Sequence, residues 1–367
     1  MTKKIRAIGA AVLLTLWVAL TLAAWLGKPE QTSHSERRPL AQFPGLSASL
    51  VLSGKFMTDF ESYTLDQFPA RDNFRTLKSL THYYLFGQKD NNDIYMQDGY
   101  AAKLEYPLNT GSLDYALGRL TYVYNTYLKD TGSRVFMAVV PDKSYYLAVE
   151  NGYPAMDYQA LFDRVGEKLP FAQQISLTDV LTAEDYYRTD THWRQEALLP
   201  VAQKISNAMG MTVPKAEDFT QALVKEDFYG VYYGQAALPM DPEQLYVMES
   251  DLLADCRVYN YETDGYTGVY DMEKLEGKDP YEVFLSGSQS LLRIENPNAA
   301  TEKELLIFRD SFGSSVTPLL VQDYKSVTLV DIRYLGSPLL GKYLDFHGQD
   351  VLFLYSTSVL NNGTTLK

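Results

Sequence analysis

Glu304-Leu305-Leu306-Ile307-Phe308 runs directly into Arg309-Asp310-Ser311-Phe312-Gly313, an apolar stretch followed by a polar turn. The apolar residues read as a short buried strand and Ser314 to Tyr324 as the helix that follows, which places Ser311 at a strand-to-helix turn. Free N–H groups at such a turn favour developing negative charge, so the backbone that exposes the hydroxyl can also help form an oxyanion hole. Asp and Ser are preferred N-cap residues as well, so capping is the ordinary role for Asp310 and Ser311.

Outward from this turn the same rhythm recurs. Leu113, Leu117, Leu120, Tyr124 and Leu128 fall at helical spacing and end at Gly132 as a C-terminal cap, with a strand-like run from Val135 to Val140 directly after. A helix from about Tyr158 to Leu169, a strand at Gln174 to Leu177, and a helix from about Arg194 to Met209 follow, with Pro200 a candidate kink. The second half adds strands near Tyr281 to Leu285, Leu305 to Phe308, Val327 to Val330 and Val351 to Tyr355. Helices alternating with short apolar runs indicate an α/β fold whose mostly parallel sheet is covered on both faces. Between the halves, roughly 213–280 is acidic, rich in Tyr and Gly and poorly periodic, and reads as an insertion. Its Tyr229, Tyr232 and Tyr233 are candidates for a sugar-binding wall or for packing of the insertion itself.

A serine nucleophile needs an imidazole to take its proton and a carboxylate to hold that imidazole in the right tautomer. Arg188-Thr189-Asp190-Thr191-His192-Trp193 contains both. Asp190 and His192 are one residue apart, so an extended or turning backbone puts their side chains on one side of the chain. The chain has four histidines, and only His192 lies two residues from a carboxylate in a compact polar and aromatic cluster.

Lys3, Lys4 and Arg6 precede a run from Ala7 to Gly27 with no charged residue, long enough to cross a bilayer as a helix. Positive charge on the short leading side predicts the N-terminus inside and the bulk of the chain outside. A cleaved signal sequence is the alternative, with Thr21-Leu22-Ala23 as a candidate cleavage region, but a retained anchor is favoured. Residues 28–39 form a polar tether or ordered arm, and 40–367 the main domain. Of the formal charge of −13, removing the three leading cations leaves −16 on the exported part, which argues against a nucleic-acid partner. The single cysteine, Cys256, excludes an intramolecular disulfide, and the scattered histidines offer no zinc-like spacing, so neither metal nor other cofactor is expected.

Beyond the first 35 residues the chain resembles the DHHW family of bacterial surface proteins, related to SGNH-hydrolase-like enzymes that O-acetylate alginate and other exopolysaccharides. The resemblance runs through Glu36-Arg37-Arg38-Pro39-Leu40-Ala41-Gln42-Phe43-Pro44, Gly54-Lys55-Phe56, Asp59-Phe60-Glu61, Asp66-Gln67-Phe68-Pro69-Ala70-Arg71-Asp72 and Val140-Pro141-Asp142-Lys143. It continues with the Asp-Thr-His-Trp segment, Asp310-Ser311-Phe312 and Asp331-Ile332-Arg333-Tyr334. It implies a three-layer SGNH-like fold, with Ser311 as nucleophile, His192 as general base and Asp190 as the orienting carboxylate. Thr191 stands where the name-giving motif has its first histidine. Gly287-Ser288 stands where Gly-Asn is expected for the oxyanion hole, and a serine hydroxyl is a shorter and less fixed donor than an asparagine amide.

Further candidates for the oxyanion hole or substrate binding are Asp310, Trp193, Arg333 and Tyr334, while Lys143 is a candidate for lining the cleft. The implied reaction is serine-dependent acyl transfer, acetyl above all, to a cell-surface or secreted polysaccharide. A multi-pass membrane acyltransferase is the implied donor partner. A carbohydrate esterase of the same fold and a non-catalytic glycan-binding or assembly protein are the alternatives.

Overall fold

The computed structural model describes residues 3–367, which divide into two compact units: 3–92 with 233–239, and 93–232 with 240–367.

In the first unit, α1 (Lys3–Leu26) is an unbroken helix, apolar from Ala7 onward, long enough to span a membrane and buried nowhere along its length. The chain then folds back through a short pairing of Thr32–Ser33 with Arg38–Pro39. Two amphipathic helices follow, α2 (Lys55–Asp66) and α3 (Arg71–Leu80), the latter continuing into a wider turn over Thr81–Leu85. Charged residues hold this unit together. Arg38 pairs with Asp66 through both terminal nitrogens, at 2.8 and 2.6 Å. Asp66 also accepts from the Ala41 N–H at 2.8 Å, and Arg71 pairs with Glu36 at 2.5 Å. The segments around Glu36, Asp66 and Arg71 thus meet one another in space.

The second unit is built on an eight-stranded sheet. Its strands are β1 (Val135–Val140), β2 (Gln173–Ser176), β3 (Arg257–Asn260), β4 (Gly265–Thr267), β5 (Leu291–Glu295), β6 (Glu304–Arg309), β7 (Ser326–Val330) and β8 (Asp350–Ser356), in the order β4-β3-β5-β7-β6-β8-β1-β2. The five strands from β7 to β2 are parallel, and β5, β3 and β4 extend the sheet antiparallel. Side chains alternate between two cores, as a period of two requires of a sheet buried on both faces. Phe136, Ala138, Leu305, Ile307, Leu352 and Leu354 enter one core, joined by Val201 and Ile205 of α6 (Leu199–Met209). Val135, Met137, Leu306, Phe308, Val351 and Phe353 enter the other, with α4 (Thr110–Val123), α5 (Tyr158–Lys168) and α8 (Thr357–Asn361). The result is the three-layer α/β/α architecture expected.

Several expected elements take a different form. Tyr281 to Leu285 is a single-turn 3₁₀ segment over Pro280–Val283, with Leu285, Ser286 and Gly287 then at positive φ, and the strand lies further on as β5. Proline lacks the N–H a central strand needs, and three left-handed residues in succession turn the chain. The helix expected over Ser314 to Tyr324 is only α7 (Phe312–Val316), passing into a 3₁₀ turn over Thr317–Leu320 because Pro318 cannot extend it. Pro200 does not kink a long helix; it lies in the first turn of α6, after a separate turn at Gln195–Ala197. Within 213–280, β3 and β4 belong to the central sheet and Thr220–Phe228 pairs with Glu243–Glu249 as a hairpin.

Candidate active site

From β6 the chain proceeds to β7 on one side and β8 on the other, so the strand order reverses at β6. Crevices at the carboxyl ends of parallel strands open at such reversals, and Ser311 stands one residue beyond Asp310 at that end. Asp310 secures the turn. One carboxylate oxygen accepts from the Phe312 N–H at 3.0 Å and the other from the N–H of Ser356, the last residue of β8, at 2.7 Å. Asp310 is therefore a fully buried clamp across two strand ends and has no free oxygen for substrate. Ser311 occupies the cap position of α7, but its hydroxyl makes no capping bond.

That hydroxyl lies 2.8 Å from His192 Nε2, and His192 Nδ1 lies 2.6 Å from Asp190 Oδ1. A carboxylate only accepts, so Nδ1 carries the proton and Nε2 presents its lone pair to the serine. Asp190 is fully buried and receives two more N–H bonds, from His192 itself at 3.0 Å and from Val231 at 2.8 Å. The chain bends between Tyr187 and His192, closed by Tyr187 N–H to His192 O at 3.1 Å and by the pairing of Tyr186 with Trp193.

Three supports fix this bend. Glu243 accepts from the Arg188 N–H, the Thr189 N–H and the Thr189 hydroxyl, each at 2.7 Å. Lys143 donates its ammonium to the carbonyls of Ala101, Tyr187 and Arg188. Gly230 lies so close that an added Cβ would stand 2.2 Å from the Asp190 Cβ, which only glycine permits. Lys143 is thus buried beneath the bend rather than lining a cleft. Burial pulls its pKa down to about 7, against the pull of Asp190, Glu243 and Asp142 nearby.

Two remote segments must meet for the serine to reach the imidazole, and the residues flanking both make the junction. Trp193 Nε1 donates to Ser315 Oγ at 2.8 Å and to Phe312 O at 3.2 Å; Gln195 donates to Ser315 O at 2.8 Å. Tyr281 stacks on the His192 ring with centroids 3.9 Å apart and planes 7° from parallel, and its hydroxyl donates to the same Ser315 Oγ at 2.7 Å. Trp193, expected as a substrate contact, is instead fully buried and positions the histidine against α7. Residue order gave no sign of the roles of Tyr281, Gln195, Glu243 or Gly230; Gln195 lies two residues past Trp193, and the other three come from segments that no short motif connects to it.

The remaining candidates divide. The Gly287 N–H is engaged by Phe284 O at 3.1 Å, so it is not a free oxyanion donor, and the Gly287 carbonyl accepts from the fully buried Arg309 at 3.2 Å. Ser288 is exposed. Among the described residues neither its backbone N–H nor that of Ser311 has a hydrogen-bond partner. Arg333 holds Asp331 through Nε at 2.9 Å and Nη2 at 2.6 Å, an ion pair that leaves Nη1 as its free end, while Tyr334 is half exposed. Tyr232 is buried with its hydroxyl on Thr191 Oγ1 at 2.9 Å, so it braces the bend and is no part of a sugar wall.

An imidazole aligned by a buried carboxylate and hydrogen-bonded to a serine at the mouth of an α/β sheet can take the hydroxyl proton as a new bond forms. Residues 178–330, which include all three side chains, match the family described as DHHW protein. Among solved structures, a DHHW family protein from Eubacterium siraeum superposes with a TM-score of 0.61 at 20% identity, over 75% of this chain and 94% of that one. Bacillus cereus PatB1 is also similar. Its structure with a sulfonyl adduct gives a TM-score of 0.60 at 19% identity, over 73% of this chain and 95% of PatB1, and a second PatB1 structure gives 0.56 at 18%. At such identities these likenesses establish a shared fold. No curated protein matches the chain. Through the segment that holds Asp190, His192 and Ser311, the chain is similar to the DHHW family.

Proposed function

We propose that this protein is an extracytoplasmic serine acyltransferase that places acyl groups, acetyl first among them, on hydroxyls of a cell-surface or secreted polysaccharide. His192 removes the Ser311 proton as the serine oxygen attacks the carbonyl carbon of an acyl donor, and Asp190 stabilises the imidazolium that forms. The unengaged N–H groups of Ser311 and Ser288 are the donors proposed for the tetrahedral oxyanion, in place of the Gly287 N–H. Collapse expels the donor's leaving group, which takes the proton from His192, and leaves an acyl-Ser311 ester. A glycan hydroxyl, deprotonated in turn by His192, attacks the acyl carbon, and the Ser311 oxygen leaves with the proton that His192 returns.

The observation that carries this reading is the continuous path of hydrogen bonds from Asp190 through His192 to Ser311, at 2.6 and 2.8 Å. The sulfonyl adduct in the PatB1 structure adds support, because sulfonyl electrophiles are captured by nucleophilic side chains. We assign α1 as a retained anchor with the second unit outside. Acyl groups would then come from a multi-pass membrane acyltransferase, because cytoplasmic acyl donors do not cross the bilayer.

The test is to incubate the full-length detergent-purified protein with an activated acetyl ester and locate the adduct by peptide mass spectrometry. Acetyl on Ser311, absent in Ser311→Ala and lost on adding an acceptor glycan that becomes O-acetylated, is the expected result. Acetate release without glycan modification would make the protein an esterase. Absence of any adduct at 311 would end the covalent mechanism.

A further inference from the structure

The helix that follows the Asp66–Asp72 segment is amphipathic in the reverse of the usual sense. Soluble helices turn their apolar stripe inward. Along α3 and its continuation, the inward positions are Arg71, Arg75 and Ser79. Arg71 pairs with Glu36, Arg75 donates to Gly234 O at 2.7 Å, and Ser79 accepts from Asn91 at 2.8 Å. The outward positions include Phe74, Leu77, Tyr84 and Leu85, with Leu77 58% and Tyr84 75% exposed, and the polar Asp72, Asn73 and Lys78 are exposed beside them. Phe86 and, before α2, Leu52 extend the apolar exposure. An exposed apolar surface on that scale marks something that covers it.

What covers it follows from where the chain comes from. We propose that this outward face lies in the membrane–water interface, its apolar side chains inserted among the lipid headgroups beside α1. The proposal rests on reading α1 as a retained anchor. A helix of 24 residues is about 36 Å long, enough to cross the ~30 Å hydrocarbon core. Trp25 and Lys28 near its end suit the headgroup level. Only four residues beyond Leu26, the chain is fastened to this unit: the Glu30 N–H donates to Gln67 Oε1, and Gln67 Nε2 donates back to Glu30 O, both at 2.9 Å. Four extended residues reach at most about 14 Å, and Gln67 stands directly at the end of α2. The unit therefore cannot leave the bilayer surface while α1 spans it.

Charge agrees with this placement. Residues 28–92 contain eight Lys and Arg against seven Asp and Glu, a balance of +1, so of the −16 on the exported part −17 falls on residues 93–367. The acidic excess that an anionic bilayer repels lies wholly outside the segment fastened to the membrane helix.

The experiment uses full-length protein in nanodiscs of phosphatidylcholine and phosphatidylglycerol, in a Cys256→Ser background, with an environment-sensitive fluorophore on Leu16→Cys, Leu77→Cys or Lys278→Cys. Expected are blue-shifted emission and loss of most of the signal to spin-labelled lipid at 16 and 77, and neither at 278. Quenching at 16 with position 77 behaving like 278 overturns the interfacial face while the anchor stands. No quenching at either 16 or 77 removes the anchor and the proposal with it. Position 77 exposed in nanodiscs but shielded from aqueous iodide in native membranes would assign the face to a protein partner and overturn lipid contact.

Discussion

Replacing Asp190 by Asn tests the proposed chemistry with the smallest change in shape. Three N–H groups point at this buried carboxylate: the backbone and ring N–H of His192 on one oxygen and the Val231 N–H on the other. An amide of the same outline offers one oxygen and one NH₂. If its oxygen faces His192, the NH₂ meets the Val231 N–H head-on. If it is reversed, the NH₂ meets the His192 backbone N–H and draws the ring proton to Nε2, where it faces the serine. Either way one buried donor is left unmet, which costs about 1–3 kcal/mol of stability. The first orientation retains the tautomer but loses the charge that stabilises the imidazolium, and the second loses the lone pair that accepts the Ser311 proton. The rate of Ser311 acetylation should fall by ~10⁴, or about 5 kcal/mol of barrier. Time-resolved mass spectrometry of the Ser311 peptide with an activated acetyl ester, alongside urea unfolding of the same sample, reads both numbers. A folded Asp190→Asn protein that acetylates at the wild-type rate would refute the reasoning, because the carboxylate would then have no part in orienting the base.

Lys143→Met should remove an ammonium matched to three carbonyls and loosen the 187–192 bend, lowering the acetylation rate together with the unfolding midpoint. Its lowered pKa carries a sign: between about 7 and the ordinary lysine value of 10.5 the unfolded chain binds more protons than the folded one, so stability from this group rises with pH through that window. The slope is at most ~1.4 kcal/mol per pH unit, and a pH series of urea melts should show it in wild type and not in Lys143→Met. Gly230→Ala should displace Asp190, because its Cβ would stand 2.2 Å from the Asp190 Cβ, and should reduce acetylation at least as severely as it reduces stability. Trp193→Phe removes the bonds to Ser315 and Phe312 while keeping most of the packing; about 1 kcal/mol of stability and a reduced acetylation rate are expected, measured in the same two assays.

The architecture was legible because the near-continuous apolar runs of β1, β6, β7 and β8 are a local property: a strand with no polar face already states that both its faces are buried. The helical stripes of α4 and α5 are local in the same way. Misreadings fell where one residue type overrode a run of apolar neighbours. Pro318 cuts short the helix after Ser311, Pro200 begins a helix rather than bending one, and the left-handed turn at Leu285-Ser286-Gly287 displaces the strand expected over Tyr281 to Leu285.

Residue order alone named Asp190, His192 and Ser311, because a carboxylate two residues from a histidine and a serine after a buried strand are patterns visible along the chain. It also announced the apolar helix at the start, since length and lack of charge suffice for that. Distance belongs to the tertiary structure. The 119-residue separation of His192 and Ser311 closes to 2.8 Å only because Trp193, Gln195 and Tyr281 converge on Ser315, and Asp190 is held only because Gly230 and Val231 approach it. Those partners act through packing and hydrogen bonds between segments far apart in sequence, and such contacts leave no periodic or motif-like trace in the order of residues. The same holds for the reversed helix at Arg71–Leu85: its apolar stripe is plain in the sequence, but that it faces outward is decided by Glu36, Gly234 and Asn91, which turn its polar side inward.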